Sequence, residues 1–385
     1  MCGMCLPHCP TYQLSRDEGE SPRGRIALIQ GLASGRLAVT PRLVAHLDHC
    51  LGCRACEAIC PSGVPFGEII DAGRAILYDR QPTPAVPPLL AALVLDRGHR
   101  RRAGRLLRWA QRSGLQTLGH LLGLMRGFAR LESLLPPLPA QTPLKEFYPP
   151  SGTRRGTVGL FIGCLADIVD RDTLRSAAVV LTRLGYGVHL PTTQGCCGAI
   201  HLHHGDAATA RSLAASNAAA FNGLKLDAVI STASGCGQTL AEYARHDYPT
   251  LTAPVHDISA FLTRVSWPDD LYVAPLVKRA AVHEPCTLRG DPSPCRLLAR
   301  IPGIDLRPLP DNGRCCGAAG TYMLREPEIA NGLRHDKLAA LRSLDAEILV
   351  TSNLGCALHL RAGIREAKLA IEVVHPISLL DRQLR

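Results

Sequence analysis

Residues 153–385 carry the same cysteine-bearing pattern twice, and this repeat restricts the fold more than any other feature of the sequence. The first copy contains VGLFIGC, GCCGA, DAVISTASGCG and PVHDISAFL, and the second contains RAAVHEPC, RCCGAAG, AEILVTSNLGC and EVVHPISLL in the same order. In each copy, β-branched apolar runs of strand length alternate with alanine- and leucine-rich stretches of helical character. The repeat therefore predicts two α/β units, each built around a parallel sheet.

Each copy supplies four cysteines in glycine-rich turns that follow predicted strands, at the edge where parallel sheets bind ligands. Four thiolates suit an iron–sulfur cluster or a tetrahedral metal ion. We expect an iron–sulfur cluster in at least one copy, and structural zinc is the alternative for one or both. The candidate ligands are Cys164, Cys196, Cys197 and Cys236 in the first copy, and Cys286, Cys315, Cys316 and Cys356 in the second.

Other residues near these cysteines are expected to play supporting roles. Cys295 has no counterpart in the first copy and is predicted to lie in the core. His283, three residues before Cys286, is a candidate to orient a metal ligand from the outer shell. The remaining histidines are expected in an exposed turn (His201, His203, His204) or in a shared packing position (His256, His375).

A second cysteine pattern occupies the first 60 residues. The stretch CLGCRACEAICP, from Cys50 to Pro61, has the spacing C-x2-C-x2-C-x3-C-P. In this pattern three thiolates bind one 4Fe–4S cluster and the fourth binds the neighbouring cluster. Zinc sites more often show two separated C-x-x-C pairs, so zinc is the weaker alternative. One 4Fe–4S cluster is predicted to be held by Cys9, Cys50, Cys53 and Cys56.

The other cluster of the pair is predicted to be held by Cys2, Cys5 and Cys60. Cys2, Cys5 and Cys9 match the last three cysteines of the C-x2-C-x2-C-x3-C-P pattern. The first cysteine of the pattern is missing, so this cluster lacks one ligand in the chain. The missing cysteine belongs three residues before Cys2. We expect an in-frame extension upstream of Met1 to supply it.

The overall organisation follows from these patterns. The chain has 385 residues and 16 cysteines, and no apolar run approaches the ~18 residues of a membrane span. We expect no secretion signal, because the cysteine pattern begins at residue 2. Cysteines in such a chain are usually metal ligands rather than disulfides. Ser21-Pro22 and Thr40-Pro41 predict helix starts. We predict an α+β chain with a helical two-cluster ferredoxin domain, a Pro/Arg-rich helical linker and two α/β repeats, at residues 1–80, 81–152, 153–270 and 271–385.

The net charge of +10 is concentrated in one segment. Between Arg97 and Leu131 there are nine arginines and no aspartate, glutamate or lysine. An amphipathic helix here predicts docking to an acidic partner or an anionic membrane, and the alternative is a linker lying on the protein's own domains. The few aromatic residues give little support to nucleic-acid binding, and none is expected. The predicted basic face holds Arg101, Arg105, Arg108 and Arg112, and the apolar side holds Leu106, Trp109, Ala110, Leu118, Leu122, Met125 and Phe128.

Several stretches together resemble a known family. CGMCLPHCPTYQL, SPRGRIALI, LDHCLGCRACEAICPSGVPFG, TTQGCCGA, STASGCG and CCGAAGTYML are similar to the iron–sulfur subunit of bacterial glycolate oxidase. The repeats resemble the cysteine-rich "CCG" domains shared with heterodisulfide reductase and with the third subunit of anaerobic glycerol-3-phosphate dehydrogenase.

The resemblance implies a role beside flavin-binding subunits. In that family the flavin takes a hydride equivalent from glycolate, and the iron–sulfur subunit carries the electrons towards the membrane quinone pool. The chain would then be cytoplasmic and peripheral on the inner face of the membrane. It would carry electrons rather than bind substrate, so no catalytic residue is predicted. No dinucleotide-binding, P-loop or nucleophile-elbow motif points to another chemistry.

The sequence also departs from the resemblance. The full CCG pattern ends in Cys-x-x-Cys, but Thr239 and His359 stand at its last position. A five-thiolate noncubane cluster is therefore not expected. The alternative functions are a thiol/disulfide reductase of the heterodisulfide reductase kind and the iron–sulfur subunit of a lactate or glycerol-3-phosphate dehydrogenase.

Overall fold

The computed structural model describes residues 2–87, 95–113, 129–138 and 143–385. The N-terminal region is helical, as predicted. Short 3-10 turns at Leu6–His8 and Glu18–Glu20 precede its first and second α-helices. The helices are α1 (Pro10–Ser15), α2 (Pro22–Ala33), α3 (Pro41–Asp48), α4 (Ala55–Ala58) and α5 (Phe66–Arg80).

Helix caps and apolar packing determine this region. Ser21 and Thr40 accept hydrogen bonds from the backbone of the first turn of α2 and α3, which confirms both predicted helix starts. Leu32 and Leu47 are fully buried between α2, α3 and α5. Burial of each such side chain contributes about 1.5–3 kcal/mol. This packing holds the two cysteine stretches of the N-terminal region side by side.

The segment between the N-terminal region and the repeats contains α6 (Arg97–Arg112) and α7 (Ala129–Leu134). Asp96 caps α6 by accepting from the backbone N–H of His99 at 2.7 Å. The inward side of α6 carries Arg100 and Gly104 rather than large apolar side chains.

The predicted orientation of α6 is partly wrong. Arg101, Arg105 and Arg112 are exposed as expected, but Leu106 and Trp109 are also exposed, by 66% and 59%. The reason is that Arg100 turns inward to the buried carboxylate of Asp167, which fixes the rotation of the helix. The other residues predicted for the apolar side, Leu118, Leu122, Met125 and Phe128, lie outside the described residues.

The first repeat is a five-stranded sheet with order β1-β3-β2-β4-β5, in which β1 alone pairs antiparallel. Its elements are β1 (Phe147–Tyr148), β2 (Gly156–Phe161), α8 (Ala166–Val169), α9 (Arg171–Arg183), β3 (Tyr186–His189), α10 (Ala199–Leu202), α11 (Ala207–Asn222), β4 (Ala228–Ser231), α12 (Ser234–Ala241), β5 (Val255–Asp257) and α13 (Ile258–Arg264).

The second repeat is a four-stranded parallel sheet with order β7-β6-β8-β9. Its elements are β6 (Arg279–His283), α14 (Ser293–Leu298), β7 (Asp305–Pro308), α15 (Tyr322–Arg325), α16 (Pro327–Ser343), β8 (Ile348–Thr351), α17 (Leu354–Glu366), β9 (Glu372–Val374) and α18 (Pro376–Asp381). Apart from β1, the two sheets have the same strand order. The predicted fold class is confirmed.

The two repeats pack against each other through one shared core. Helix α9 of the first repeat contacts α18 of the second, and α13 of the first contacts α14 of the second. These helices occupy equivalent positions, since α9 and α14 follow the corresponding strands β2 and β6, and α13 and α18 follow the corresponding strands β5 and β9. The contact is therefore isologous, as in a twofold dimer. In the described ranges, none of the helices is both long and apolar enough to cross a bilayer.

Candidate metal centres

The four cysteines of the first repeat meet at the carboxyl-terminal edge of its sheet. Cys164 follows β2, Cys196 and Cys197 follow β3, and Cys236 lies in the first turn of α12. The hydrogen bond to Cys196, together with burial, raises the pKa of the Cys164 thiol well above its ordinary value. The thiols of Cys196 and Cys197, and those of Cys197 and Cys236, are likewise close enough to shift one another's pKa. The four predicted ligands thus form a continuous row of sulfur atoms.

Buried polar side chains hold this cysteine pair in place. Asn217 is fully buried, accepts from the backbone N–H of Gly195 at 3.0 Å and donates to the carbonyl of Cys196 at 2.8 Å. The Tyr243 hydroxyl donates to the carbonyl of Cys197 at 2.8 Å. Since these bonds satisfy the backbone of the loop, they leave the thiols facing one another.

The second repeat arranges its cysteines in the same way. Cys286 begins a 3-10 turn after β6, and Cys356 lies in the first turn of α17. The neighbouring thiol of Cys315, together with burial, raises the pKa of Cys286 well above its ordinary value. For Cys316, Cys315 lowers the pKa, but Cys356 and burial outweigh it and raise the pKa overall. Gly317 closes the loop with φ of +90°, and a Cβ at this position would lie 2.6 Å from the carbonyl oxygen of Ala330. Only glycine fits there.

The predicted ferredoxin-type ligands of one cluster, Cys9, Cys50, Cys53 and Cys56, are all buried in the N-terminal region. Burial raises the pKa of Cys56 above its ordinary value, and the thiols of Cys50, Cys53 and Cys9 add to the effect. The Arg25 guanidinium lies 3.9 Å from the sulfur of Cys9. The structure therefore brings this ligand set together.

The predicted ligands of the other cluster are less enclosed. Cys2 is exposed, and Cys5 and Cys60 are half-buried. Burial raises the pKa of Cys5, with further contributions from nearby Cys9 and Cys2. Cys60 ends the turn after α4, where its backbone N–H donates to Glu57 at 3.1 Å. The assignment of these three residues to one cluster stays a prediction.

A buried network of charged and polar side chains around Glu20, called the Glu20 hub below, lies beside the Cys9 segment. The Glu20 carboxylate contacts Arg25 at 2.5 Å, His46 at 2.7 Å and His49 at 2.9 Å. Burial alone would raise the pKa of Glu20, but hydrogen bonds from His49 and His46 and the Arg25 charge lower it overall. The carbonyl of Glu20 in turn accepts from the Cys9 thiol at 3.5 Å.

The loop that carries Cys53 packs directly against the second repeat. Cys53 forms one buried cluster with Cys315 and the partly buried Cys286. Arg289, three residues after Cys286, donates to the carbonyl of Cys53 at 3.2 Å. The Tyr322 hydroxyl of the second repeat donates to the carbonyl of His49 at 3.0 Å, immediately before the cysteine loop. The ferredoxin-type ligand set and the second-repeat ligand set are thus neighbours.

The N-terminal region also contacts the first repeat. Arg54 pairs with Glu242 at 2.7 Å, with both side chains mostly buried. Asp71 of α5 contacts His203 at 3.0 Å. The N-terminal region therefore bridges the two repeats.

Comparison with known proteins identifies the family. The profile described as a 4Fe-4S dicluster domain matches residues 1–64, and the one described as a cysteine-rich domain matches residues 158–241 and 280–361. The chain is 34% identical to the glycolate oxidase iron–sulfur subunit of Escherichia coli (strain K12) over 401 residues, covering 100% of this chain and 93% of that protein. The chain belongs to the family of glycolate oxidase iron–sulfur subunits.

Further relatives support this assignment. The probable glycolate oxidase iron–sulfur subunit of Bacillus subtilis (strain 168) is 33% identical over 407 residues, covering 98% of this chain and 92% of that protein. Lactate utilization protein A of Bacillus velezensis is 27% identical over 237 residues, covering 58% of this chain and 98% of that protein. The resemblance predicted from the cysteine motifs is confirmed.

Thr239 and His359 stand where the CCG pattern of this family has its last cysteine. Both side chains form hydrogen bonds with backbone carbonyl groups. Thr239 donates to the carbonyl of Gly235 at 3.0 Å within α12. His359 is fully buried in α17, and its Nε2 hydrogen-bonds the carbonyl of Ala330 at 3.0 Å. Burial lowers the pKa of His359 to about 4, so its imidazole is neutral near pH 7.

Two buried polar residues, His283 and Lys337, accompany the cysteines of the second repeat. One ring nitrogen of His283, the predicted outer-shell partner, lies within 4.8 Å of the sulfurs of Cys316 and Cys356. Burial lowers the pKa of His283 to about 3. Lys337 is buried as well, and its ammonium donates to the carbonyl of Asp311.

Lys337, Asn217 and Tyr243 had no recognisable signal in the sequence. Lys337 and Asn217 lie on long helices about 20 residues after the cysteine pair of their repeat, and Tyr243 follows α12. Whether these side chains reach the cysteines depends on the rotation of their helices and on the course of the loops. Neither can be predicted from residue spacing. His283 did have a signal, because it precedes Cys286 at the end of a strand.

Proposed function

We propose that this chain is the iron–sulfur electron-transfer subunit of a flavin-dependent 2-hydroxyacid dehydrogenase or oxidase, with glycolate as the substrate of the complex. Flavin-binding subunits would deliver electrons, and the membrane quinone pool would receive them. The observation that carries this proposal is the contact of the Cys53 loop with Cys315 and Cys286. It makes two buried thiol sets adjacent, which suits electron transfer through the interior of the protein.

The donor sets fit iron–sulfur clusters. Three of the predicted ligand sets are groups of four buried or half-buried thiols. Sulfur ligands are those that iron–sulfur clusters and zinc prefer. Burial raises the pKa of Cys53 to about 12, so metal binding must displace the thiol proton. Clusters bound at the ferredoxin-type ligands and in one or both repeats would supply one-electron transfer.

A lactate-oxidising complex is the second candidate. Lactate utilization protein A matches a part of the chain, which favours a related 2-hydroxy acid. The substrate would contact the flavin subunit, so this chain would be unchanged. A thiol/disulfide reductase receives less support, because Thr239 and His359 stand where the five-cysteine pattern has its last thiol.

We also propose that α6 holds the chain on the inner face of the membrane. Its exposed side combines Arg101, Arg105 and Arg112 with Leu106 and Trp109. Arginine attracts anionic headgroups, and tryptophan and leucine insert at the interface between headgroups and acyl chains. The combination of charge and exposed apolar area favours a lipid surface over a purely acidic protein.

The function is tested by anaerobic co-expression with the flavin-binding subunits and titration with glycolate. We expect substrate to bleach the iron–sulfur absorbance and to produce paramagnetic resonance signals from reduced clusters. Stoichiometric zinc with iron near zero would contradict the proposal, as would clusters that glycolate leaves oxidised while the flavin is reduced. Titration with lactate in parallel separates the two substrate candidates.

A further inference from the structure

The two repeats differ at one position beside their cysteines. Phe161 ends β2 and pairs in register with Ser231 of β4, whereas His283 ends β6 and pairs in register with Thr351 of β8. Each lies three residues before the first cysteine of its repeat. Because the strand order and register are the same, an imidazole in the second repeat occupies the place of a phenyl ring in the first.

The imidazole is close to two of the thiols. One ring nitrogen of His283 and the sulfurs of Cys316 and Cys356 all lie within 4.8 Å of one another. His283 is only 2% exposed. A metal atom bound between these three groups would therefore be reached by a nitrogen and two sulfurs from separate elements, β6, the loop after β7, and α17.

A hydrogen bond orients the ring. Nδ1 of His283 lies 2.9 Å from the hydroxyl of Thr351. In the site argued here, Nε2 is the nitrogen that would bind the metal. Histidine ligands in proteins usually have such a partner on the other nitrogen. In the first repeat the equivalent hydroxyl of Ser231 instead donates to the carbonyl of Ala233 at 2.9 Å.

The other histidine of the second repeat that stands near the pattern is differently placed. His359 occupies the position of the last cysteine of the CCG pattern, but its Nε2 bonds the carbonyl of Ala330 at 3.0 Å. Among the described residues, the group compatible with a metal ion contains His283 and not His359.

We infer that His283 is a ligand of the second-repeat centre, which is a mixed thiolate–imidazole iron–sulfur site, while the first-repeat centre has thiolate ligands only. This inference rests on the proposed function. A 4Fe–4S cluster takes four ligands, so imidazole binding leaves one of the four second-repeat thiols outside the ligand set. This exchange of thiolate for imidazole removes negative charge and raises the reduction potential, as it does in Rieske centres. The buried Lys337, whose charge interacts with Cys316 and Cys315, acts in the same direction. The second-repeat centre is thus the higher-potential one of the two repeats.

The test is pulsed paramagnetic resonance on the anaerobically purified, dithionite-reduced full chain, with and without ¹⁵N-histidine. We expect one iron–sulfur signal to show a nitrogen coupling that changes on labelling. The coupling should be absent in His283→Phe, which introduces the residue of the first repeat, and the potential of that centre should fall. His256→Phe, a histidine-to-phenylalanine change on β5, is the matched control and should keep the coupling.

The outcomes separate the two claims. Reducible clusters without any histidine coupling in the unaltered chain would overturn the inference and leave the proposed function standing. A chain without reducible iron would overturn both. If His283→Phe does not fold, the labelling result on the unaltered chain decides, and Thr351→Val should change the size of the coupling by releasing the ring.

Discussion

A buried thiol in this chain is a poor acid until a metal binds it. Cys53 and Cys56 have raised pKa values because burial disfavours the thiolate, and neighbouring thiols reinforce the effect. Four such groups enclosed together have no evident structural use as protonated thiols. Their arrangement is explained if they bind a cluster.

The first prediction concerns one of these thiols. Cys56→Ser should remove about one cluster's iron, because the remaining thiols cannot complete the four ligands of a 4Fe–4S cluster. Cys295→Ser changes a cysteine that is outside every proposed ligand set and is the control. Iron content and the paramagnetic resonance spectrum provide the measurement. Equal iron in both variants would refute the ligand assignment.

The second prediction concerns the Glu20 hub. Glu20→Gln leaves the buried Arg25 without its carboxylate and should destabilise the N-terminal region by about 3–5 kcal/mol. Glu18→Gln is the matched control, because it alters the Glu18–Arg23 pair, whose side chains are 49% and 34% exposed and therefore far more accessible than Glu20 and Arg25. An exposed pair contributes about 0–1 kcal/mol.

Denaturant titration monitored by cluster absorbance measures both variants. We expect the cluster signal of Glu20→Gln to disappear at clearly lower denaturant concentration than that of Glu18→Gln. Coincident transitions would show that the hub does not support the Cys9 segment.

At the scale of helices and strands, the sequence predicted those features whose signals lie in adjacent or regularly spaced residues. Ser21-Pro22 and Thr40-Pro41 predicted two helix starts because capping depends on adjacent residues. The repeat predicted parallel α/β units because strand and helix periods recur with the cysteines. The orientation of α6 was not predictable, since Arg100 is turned inward by Asp167, which lies far along the chain.

The third prediction concerns α6. Changing Arg101, Arg105 and Arg112 together to Gln should weaken binding of the chain to anionic vesicles several-fold at physiological salt. The interaction of the unaltered chain should decline steeply with added salt, because exposed charges are screened over about 8–10 Å under these conditions. Trp109→Ala should weaken binding as well, with less dependence on salt. Vesicle sedimentation measures all three effects.

A control variant has the same net charge as the α6 triple variant. Arg175, Arg211 and Arg342 are exposed on α9, α11 and α16, and changing all three to Gln removes the same charge elsewhere. This variant should bind like the unaltered chain. If both triple variants lose binding equally, attraction is a property of the total charge and α6 is not a docking element.

At the scale of the whole molecule, the N-terminal region joins the two repeats. Arg54 reaches the first repeat at Glu242, and the Cys53 loop reaches the second at Cys315. The sequence indicated the ligands within each region but not which regions meet. Contacts such as that of Arg289 with the carbonyl of Cys53 join residues 236 positions apart, and no local pattern encodes them.

The central claim is that electrons leave the flavin subunits through the thiol-bound centres of this chain. In the assembled complex, Cys316→Ser should abolish glycolate-dependent quinone reduction and leave flavin reduction by glycolate intact, while Cys295→Ser should preserve both. Stopped-flow absorbance of the flavin together with steady-state quinone reduction measures the two steps. Quinone reduction that persists in Cys316→Ser, or flavin reduction that is lost in an assembled complex, would contradict the account.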